Sequence, residues 1–363
     1  MNGMSIREIA QRRGPFVSLY FDATHDTEDA AKQQELRWRS IREQLIDQGA
    51  TEPMLALLDD AVTGSAPEPG RAGRALIADA TQILVDQRLP HPPAREIVRV
   101  SPLPYLLPLI EYETQEVPHV VAMVDRTGSE LYGVDDHGEV VGETVEGAEH
   151  PIHKVRHGGG WSHRSMQRRA EETARRNIDE VAEELTRLAR RIAAQVIVLA
   201  GEVGARSALR KALGAAEARI EEVEVGGRAA GTDSGELDHR VHDIVAEEAR
   251  RRRDEVVQRF ATERGRDDGL AVTGLPETTS ALLAANADSL LINSSALGDR
   301  TVRIAPEPIQ DPAAPFPAAG AETRDCRADE ALPVAALVRG GTILPVDDEL
   351  ATADGVGALL RHG

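Results

Sequence analysis

The sequence predicts an α/β protein, and three features carry that prediction. Short aliphatic and β-branched runs, such as FVSLYFD (Phe16–Asp22), PHVVAMV (Pro118–Val124) and QVIVLAG (Gln195–Gly201), read as strands. Between them lie longer polar stretches whose apolar residues recur every three or four positions, the spacing of an amphipathic helix. A length of 363 residues also exceeds what one ordinary core organises. Three α/β segments are therefore expected, over 1–116, 117–264 and 265–363.

In the first segment, FVSLYFD alternates as a strand and a polar helix follows from about Asp29 to Gln48. Leu36, Ile41 and Leu45 are its expected buried stripe. After the loop TGSAPEPGRAG come strand candidates at ALIAD, TQILVD and EIVRV, and SPLPYLLPLIEY closes the segment.

The second segment opens with two strands joined through Asp125-Arg126-Thr127-Gly128, a hairpin signal. HKVRHGGGWSHRSMQRRAEE (His153–Glu172) comes next, then the longest helix, Ser162 to Ala193, about 48 Å at 1.5 Å per residue. Met166, Ala170, Ala174, Ile178, Val181, Leu185, Leu188 and Ile192 give it one continuous apolar stripe. QVIVLAG reads as a buried strand, GARSALRKAL as a helix and RIEEVEV as a further strand. Asp233 and Glu236 are a capping pair for a helix running to about Thr262. This order describes a mixed α/β layer domain. The run Arg250–Arg253 lies between Glu247-Glu248 and Asp254-Glu255, and reads as a solvated, charge-matched helix face.

The third segment begins near Gly265. LPETTSALLAANADSLLINSS is a helix leading into a strand, and a Pro/Ala-rich loop spans Ala305–Gly320. DEALPVAALVRGGTILPV then reads helix, turn, strand, and DGVGALLRH closes the chain.

Composition narrows the function classes. With 42 Lys and Arg against 61 Asp and Glu the formal charge is -19, which excludes a protein that coats nucleic acid over its whole surface. Residues 150–176 break the pattern, with seven basic residues against two acids. Aromatic content of 3% leaves little material for base-stacking platforms. Cys326 is the only cysteine, so no disulfide within the chain and no thiolate metal cage is expected. No apolar run of membrane-spanning length and no secretory signal is read, so a cytoplasmic protein is expected. There is no P-loop, nucleophile elbow or dinucleotide-binding glycine motif. His150, His153, His157 and His163 lie across a loop without a zinc-ligand pattern, so neither a metal nor a cofactor is expected.

The stretch His157-Gly158-Gly159-Gly160-Trp161-Ser162, between a strand pair and a long basic helix, resembles the central domain of the archaeal and eukaryotic class I release factors and Pelota. In that family the loop reads His-Gly-x-Gly-Gly-Gln-Ser. ETTSALLAANADSLLINSS and GTILPV followed by ADGVGALLRH are similar to the C-terminal segment of the same proteins. The resemblance covers about residues 117–363. It implies a three-domain release-factor-like architecture, with an RNase H-like mixed α/β middle domain and an L7Ae-like α/β C-terminal domain. It points to the bacterial branch that includes the hibernation factor Balon and its actinobacterial relatives. It also implies a monomer that occupies the ribosomal A site, approaches the peptidyl transferase centre, and docks an elongation GTPase such as EF-Tu through its C-terminal domain.

Trp161 stands where the family has the glutamine that positions water at the peptidyl-tRNA ester. An indole offers one N–H donor and no acceptor, so that route to peptide release is not expected and no catalytic residue is assigned. Trp161 has two compatible uses: stacking on RNA, or a hydrophobic staple to Met166 across an N-cap at Ser162. Gly158, Gly159 and Gly160 permit close backbone approach to RNA. Lys154, Arg156, His157, Ser162, His163, Arg164, Arg168 and Arg169 complete the expected RNA-binding tip, because they flank a helix N-terminus that favours anions. Two other function classes stay open: a ribosome-rescue hydrolase or tRNA endonuclease on the same scaffold, and a protein-interaction scaffold that binds no RNA.

Overall fold

The computed structural model describes residues 4–26, 29–64, 70–113, 117–125, 128–135, 140–146, 160–224, 234–305, 316, 322–347, 350 and 352–363. The fold is mixed α/β with several sheets, as the sequence predicts. In chain order the elements begin with α1 (Ile6–Ala10), β1 (Phe16–Asp22), α2 (Ala30–Asp47), α3 (Glu52–Thr63), β2 (Gly73–Ala78), β3 (Ile83–Leu89), β4 (Ile97–Ser101) and α4 (Leu107–Glu113). They continue with β5 (His119–Val124), β6 (Gly128–Val134), β7 (Val140–Glu146), α5 (Gly160–Arg191), β8 (Val196–Gly201), α6 (Val203–Leu213), β9 (Arg219–Glu222) and α7 (Ser234–Arg264). The last group is β10 (Ala271–Thr273), α8 (Leu275–Leu283), β11 (Ala287–Ile292), α9 (Ser294–Leu297), β12 (Thr301–Ile304), β13 (Arg324–Arg327), α10 (Ala328–Val338), β14 (Thr342–Pro345) and β15 (Val356–Leu360). Among the described residues no helix is long and apolar enough to cross a membrane.

The chain forms two compact units. One joins Met1–Glu113 to Glu255–Gly363, and the other is Thr114–Asp254. In the first unit, β3-β2-β1-β4 is an antiparallel sheet, and β1 is buried along both faces. Alternate residues explain this. Val17, Leu19 and Phe21 pack with Trp38, Ile41 and Leu45 of α2 and Met54, Leu55 and Leu58 of α3. Phe16 and Tyr20 belong to the opposite core, which runs through α1 and α4 into α10, β11 and β15. The first and last stretches of the chain therefore share one hydrophobic core. Helix α10 lies at its centre, with every residue from Ala328 to Leu337 buried. A second sheet, β10-β15-β11-β14, pairs β11 with β14 in parallel and is otherwise antiparallel, and β12 and β13 form a two-stranded antiparallel sheet.

One expected core residue of this unit is misplaced. Leu36 is 52% exposed, and Trp38 takes its place beside Ile41 and Leu45. The stripe that starts at Trp38 keeps helical spacing, and its indole N–H satisfies itself on Asp59 Oδ1 at 2.8 Å. Helix α3, with Pro53 in its first turn, was not anticipated.

The second unit is built on the sheet β7-β6-β5-β8-β9. Strands β5, β6 and β7 are antiparallel neighbours, whereas β5, β8 and β9 run parallel. The side chains of β5 alternate between two cores. Val120, Ala122 and Val124 meet Ile178, Val181, Leu185, Leu188 and Ile192 of α5, and Leu209 of α6. Val121 packs with Val196 and Val198, under Leu237, Val241 and Val245 of α7. The expected buried stripe of the long helix thus holds from Ile178 to Ile192; the side chains of Met166, Ala170 and Ala174 lie outside the described ones. Asp233, half of the expected capping pair, also lies outside.

The arginine run at 250–253 is not merely a solvated face. Glu248 is 0% exposed and accepts from Arg251 Nη2 at 2.5 Å, Arg252 Nε at 3.0 Å and Arg219 Nη1 of β9 at 3.4 Å. Sequence spacing suggested pairing within the helix, but the parallel edge strand β9 supplies a third cation. Three donors around one carboxylate keep it ionised. Burial pushes the Glu248 pKa up, yet the hydrogen bonds from Arg251, Arg252 and Arg219 outweigh it and hold the group below the ordinary value.

Candidate functional site

The expected tip falls at the start of α5. Gly160, Trp161, Ser162, His163, Arg164, Arg168 and Arg169 all lie on this helix, while Lys154, Arg156, His157, Gly158 and Gly159 lie outside the described residues. The helix begins at Gly160, two residues before the expected start. Ser162 is therefore inside the first turn and not at the N-cap position, while the side chains of Trp161 and Met166, and with them the expected staple, lie outside the described ones. Glycine has a low helix propensity, so the sequence places the helix start two residues too late.

Position along the helix matters more than the cap. Asn177 and Ile178 are the first described side chains that α5 buries. Trp161 precedes Ile178 by about 26 Å of helix axis at 1.5 Å per residue. Arg175 and Arg176 are exposed just before the buried stretch begins. No acidic residue occupies the first turn of α5, so no carboxylate of that turn offsets the partial positive charge of a helix N-terminus. Arg164, Arg168 and Arg169 add full charges within the next two turns.

Strand β5 leads through β6 and β7 toward this start, and the returning strand β8 lies parallel to β5, with Val120 opposite Ile197 and Val124 opposite Gly201. His119, on β5, is buried and its Nδ1 lies 2.8 Å from Val117 O. Burial lowers its pKa, so it is held neutral in the sheet and takes no part in the basic tip. Of the four histidines of the 150–163 stretch, three lie outside the described residues and His163 is on α5. Elsewhere, no group of three or more His, Cys, Asp or Glu suited to a metal occurs among the described residues. Cys326 is buried, and desolvation pushes its thiol up to about 12, which makes it a poor nucleophile.

A three-strand antiparallel ribbon, a long helix with a basic start and a parallel return strand on one mixed sheet define a release-factor-like middle unit. The family described as bacterial archaeo-eukaryotic release factor family 2 matches residues 118–266, the stretch that contains this arrangement. The chain is 36% identical over 373 residues to "Uncharacterized protein Rv2629" of Mycobacterium tuberculosis (strain ATCC 25618 / H37Rv), covering 100% of this chain and 97% of the relative. The same figures hold for "Uncharacterized protein MT2704" of strain CDC 1551 / Oshkosh. Among solved structures, Pelota of Archaeoglobus fulgidus is similar at 15% identity, covering 81% of this chain and 84% of that one, with a TM-score of 0.34. Dom34 of S. cerevisiae, a translation termination-like factor, is similar at 10% identity, covering 80% and 79%, with a TM-score of 0.42. The chain belongs to bacterial archaeo-eukaryotic release factor family 2, within the bacterial branch of the release factor and Pelota superfamily.

Proposed function

We propose that the protein is a ribosome-binding factor that occupies the A site under stress or dormancy and does not release peptide. The observation that carries this reading is Trp161 at the first turn of α5, where release factors of the superfamily place glutamine. Indole has no acceptor with which to orient a water molecule, but its face can stack on a base or ribose. The helix start supplies what phosphate binding needs: the partial positive charge of a helix N-terminus, no acid in the first turn, and three arginines close behind. Family membership supports translation as the setting. Acidity elsewhere in the chain favours a local contact over a surface-wide one.

In this reading the tip contacts ribosomal RNA near the peptidyl transferase centre, and the C-terminal stretch offers a face for an elongation GTPase such as EF-Tu. Residues 265–363 carry seven basic against fifteen acidic residues, a balance that suits a protein partner better than bare RNA. Co-sedimentation with vacant 70S ribosomes across a salt series tests the proposal, with a peptidyl-tRNA turnover assay alongside. Salt-sensitive binding without turnover is the expected result. Release of peptide at a rate above background refutes the non-catalytic assignment, and no association at low salt refutes ribosome binding.

A further inference from the structure

Helix α10 ends at Val338, and Gly340 turns the chain at φ +73° toward β14. Two guanidinium groups gather at this turn. Arg7 of α1 donates from Nη1 to Leu337 O at 3.1 Å and from Nη2 to Gly341 O at 3.3 Å. Arg361, which follows β15, donates from Nη1 to Ala285 O at 3.1 Å and from Nη2 to Arg339 O at 3.0 Å. A Cβ built on Gly340 would sit 3.8 Å from Arg7 Nη1 and 3.9 Å from Arg361 Nη2. Both cations thus approach Gly340 to within ordinary contact distance of that position, and it is the positive φ that calls for glycine there. Both arginines are exposed.

What holds these groups sets them apart from most arginines of the unit. Arg12, Arg74, Arg99 and Arg327 each rest on a carboxylate. Among the described residues, Arg7 and Arg361 have only carbonyl partners, although acids outnumber bases in the chain by 61 to 42. A carbonyl orients a guanidinium without neutralising it. The end of α10 contributes about half a negative charge, against two full positive ones. Each planar fork keeps unused N–H donors, and the spacing of such donors matches the oxygens of a phosphate.

We propose that Arg7 and Arg361 form a phosphate-binding pair around Gly340, whose occupant is a phosphodiester of ribosomal RNA. This rests on the ribosome-binding reading above and adds to it a second RNA contact, carried by the unit that joins the two ends of the chain. Ordering two guanidinium groups in advance lowers the entropy lost when a phosphate docks.

The test uses the full chain with Arg7→Gln and Arg361→Gln combined, and Arg7→Lys with Arg361→Lys as the charge-retaining pair. Thermal melting first establishes that both variants are folded. Binding to vacant 70S ribosomes across a potassium chloride series is then compared with binding to a fluorescent 20-nucleotide single-stranded RNA. The double Gln variant should bind ribosomes about tenfold more weakly, with a log K against log salt slope shallower by roughly one to two, and the Lys pair should fall between it and wild type. If wild type binds ribosomes and the double Gln variant matches it in affinity and slope, the pair is only a cap on α10 and this inference is overturned while the ribosome reading stands. If wild type does not bind ribosomes, the ribosome reading fails. The RNA oligomer then decides the pair: equal binding by wild type and variant overturns it, and a loss in the variant upholds it as an RNA phosphate site.

Discussion

Replacing Arg99 by methionine tests how the two ends of the chain are held together. Arg99 projects from β4 onto the start of α10, donating to Asp329 Oδ1 and Oδ2 at 3.1 and 3.0 Å and to Glu330 Oε1 at 2.9 Å. Its guanidinium carbon also lies 3.6 Å from the centroid of the Tyr105 ring. Both carboxylates are buried, at 4% and 2% exposure. Methionine keeps most of the stem volume but strands the charges. Asp329 retains Arg327, at 2.9 and 3.0 Å. Glu330 retains Ser101 Oγ at 2.5 Å and the weak donor Cys326 Sγ at 3.7 Å. Breaking a buried ion pair on one side costs about 3–5 kcal/mol, and the lost ring contact adds about 1. With Arg327 relieving part of the Asp329 charge, the net loss expected is about 4 kcal/mol. In a unit of this size that lowers Tm by about 8–16 °C.

The assay is thermal and urea unfolding followed by Trp38 fluorescence, in a Trp161→Phe background so that one indole reports. Trp38 packs on the opposite face of the N-terminal sheet, away from α10. If the ends of the chain unfold as one unit, its transition must move with the rest. Lowering the pH supplies a second signature. Burial holds the Glu330 pKa above its ordinary 4.5, so the folded state takes up a proton before the unfolded chain does. A neutral Glu330 needs no cation, and the deficit of the variant should shrink as pH falls through that raised value. Adding Glu330→Gln to Arg99→Met should likewise restore part of the loss. A deficit under about 1 kcal/mol, or a Trp38 midpoint that stays at the wild-type value, would refute the reasoning.

Three further outcomes follow from the geometry. Glu248→Gln should destabilise the Thr114–Asp254 unit by about 2–3 kcal/mol, since three arginines lose their shared anion, discounted for their partial exposure. Its folded pKa is depressed, so wild type should lose this stabilisation as pH drops below 4.5 through the lower folded value, and a urea titration of the variant should lack that step. Gly201→Ala should cost about 3 kcal/mol or more by circular dichroism melting, because Gly201 has φ +102° and a Cβ there would collide with the Val124 carbonyl of the paired strand β5. Trp161→Gln places an amide at the tip; ribosome binding should weaken about 5- to 150-fold through about 1–3 kcal/mol of lost stacking, and unchanged binding in sedimentation would remove Trp161 from the interface.

Much of the fold is legible because strand and helix periods are local properties. β1, β5 and β8 stand where the aliphatic runs place them, and α5 covers the expected stretch to within two residues at each end. The candidate tip is legible for the same reason: glycine, tryptophan and arginine are conspicuous in a row. Short elements such as α1 and β10 escaped, since brief runs carry no period. Leu36 escaped for a different reason. Leu36 lies five residues before Ile41, off the face that Ile41 and Leu45 share, whereas Trp38 lies three before it and also meets the sheet and Asp59.

The order of charges along the chain, the Trp161 departure and the α/β class follow from the sequence alone, because each depends on residues near one another in it. Tertiary structure alone decides the pairings across long separations. Arg99 meets Asp329 and Glu330, Arg219 meets Glu248, and Arg7 and Arg361 both reach the turn at Gly340. No local pattern marks those partners. Their energies arise from desolvation and fixed geometry, which exist only once the sheets and α10 have closed the core.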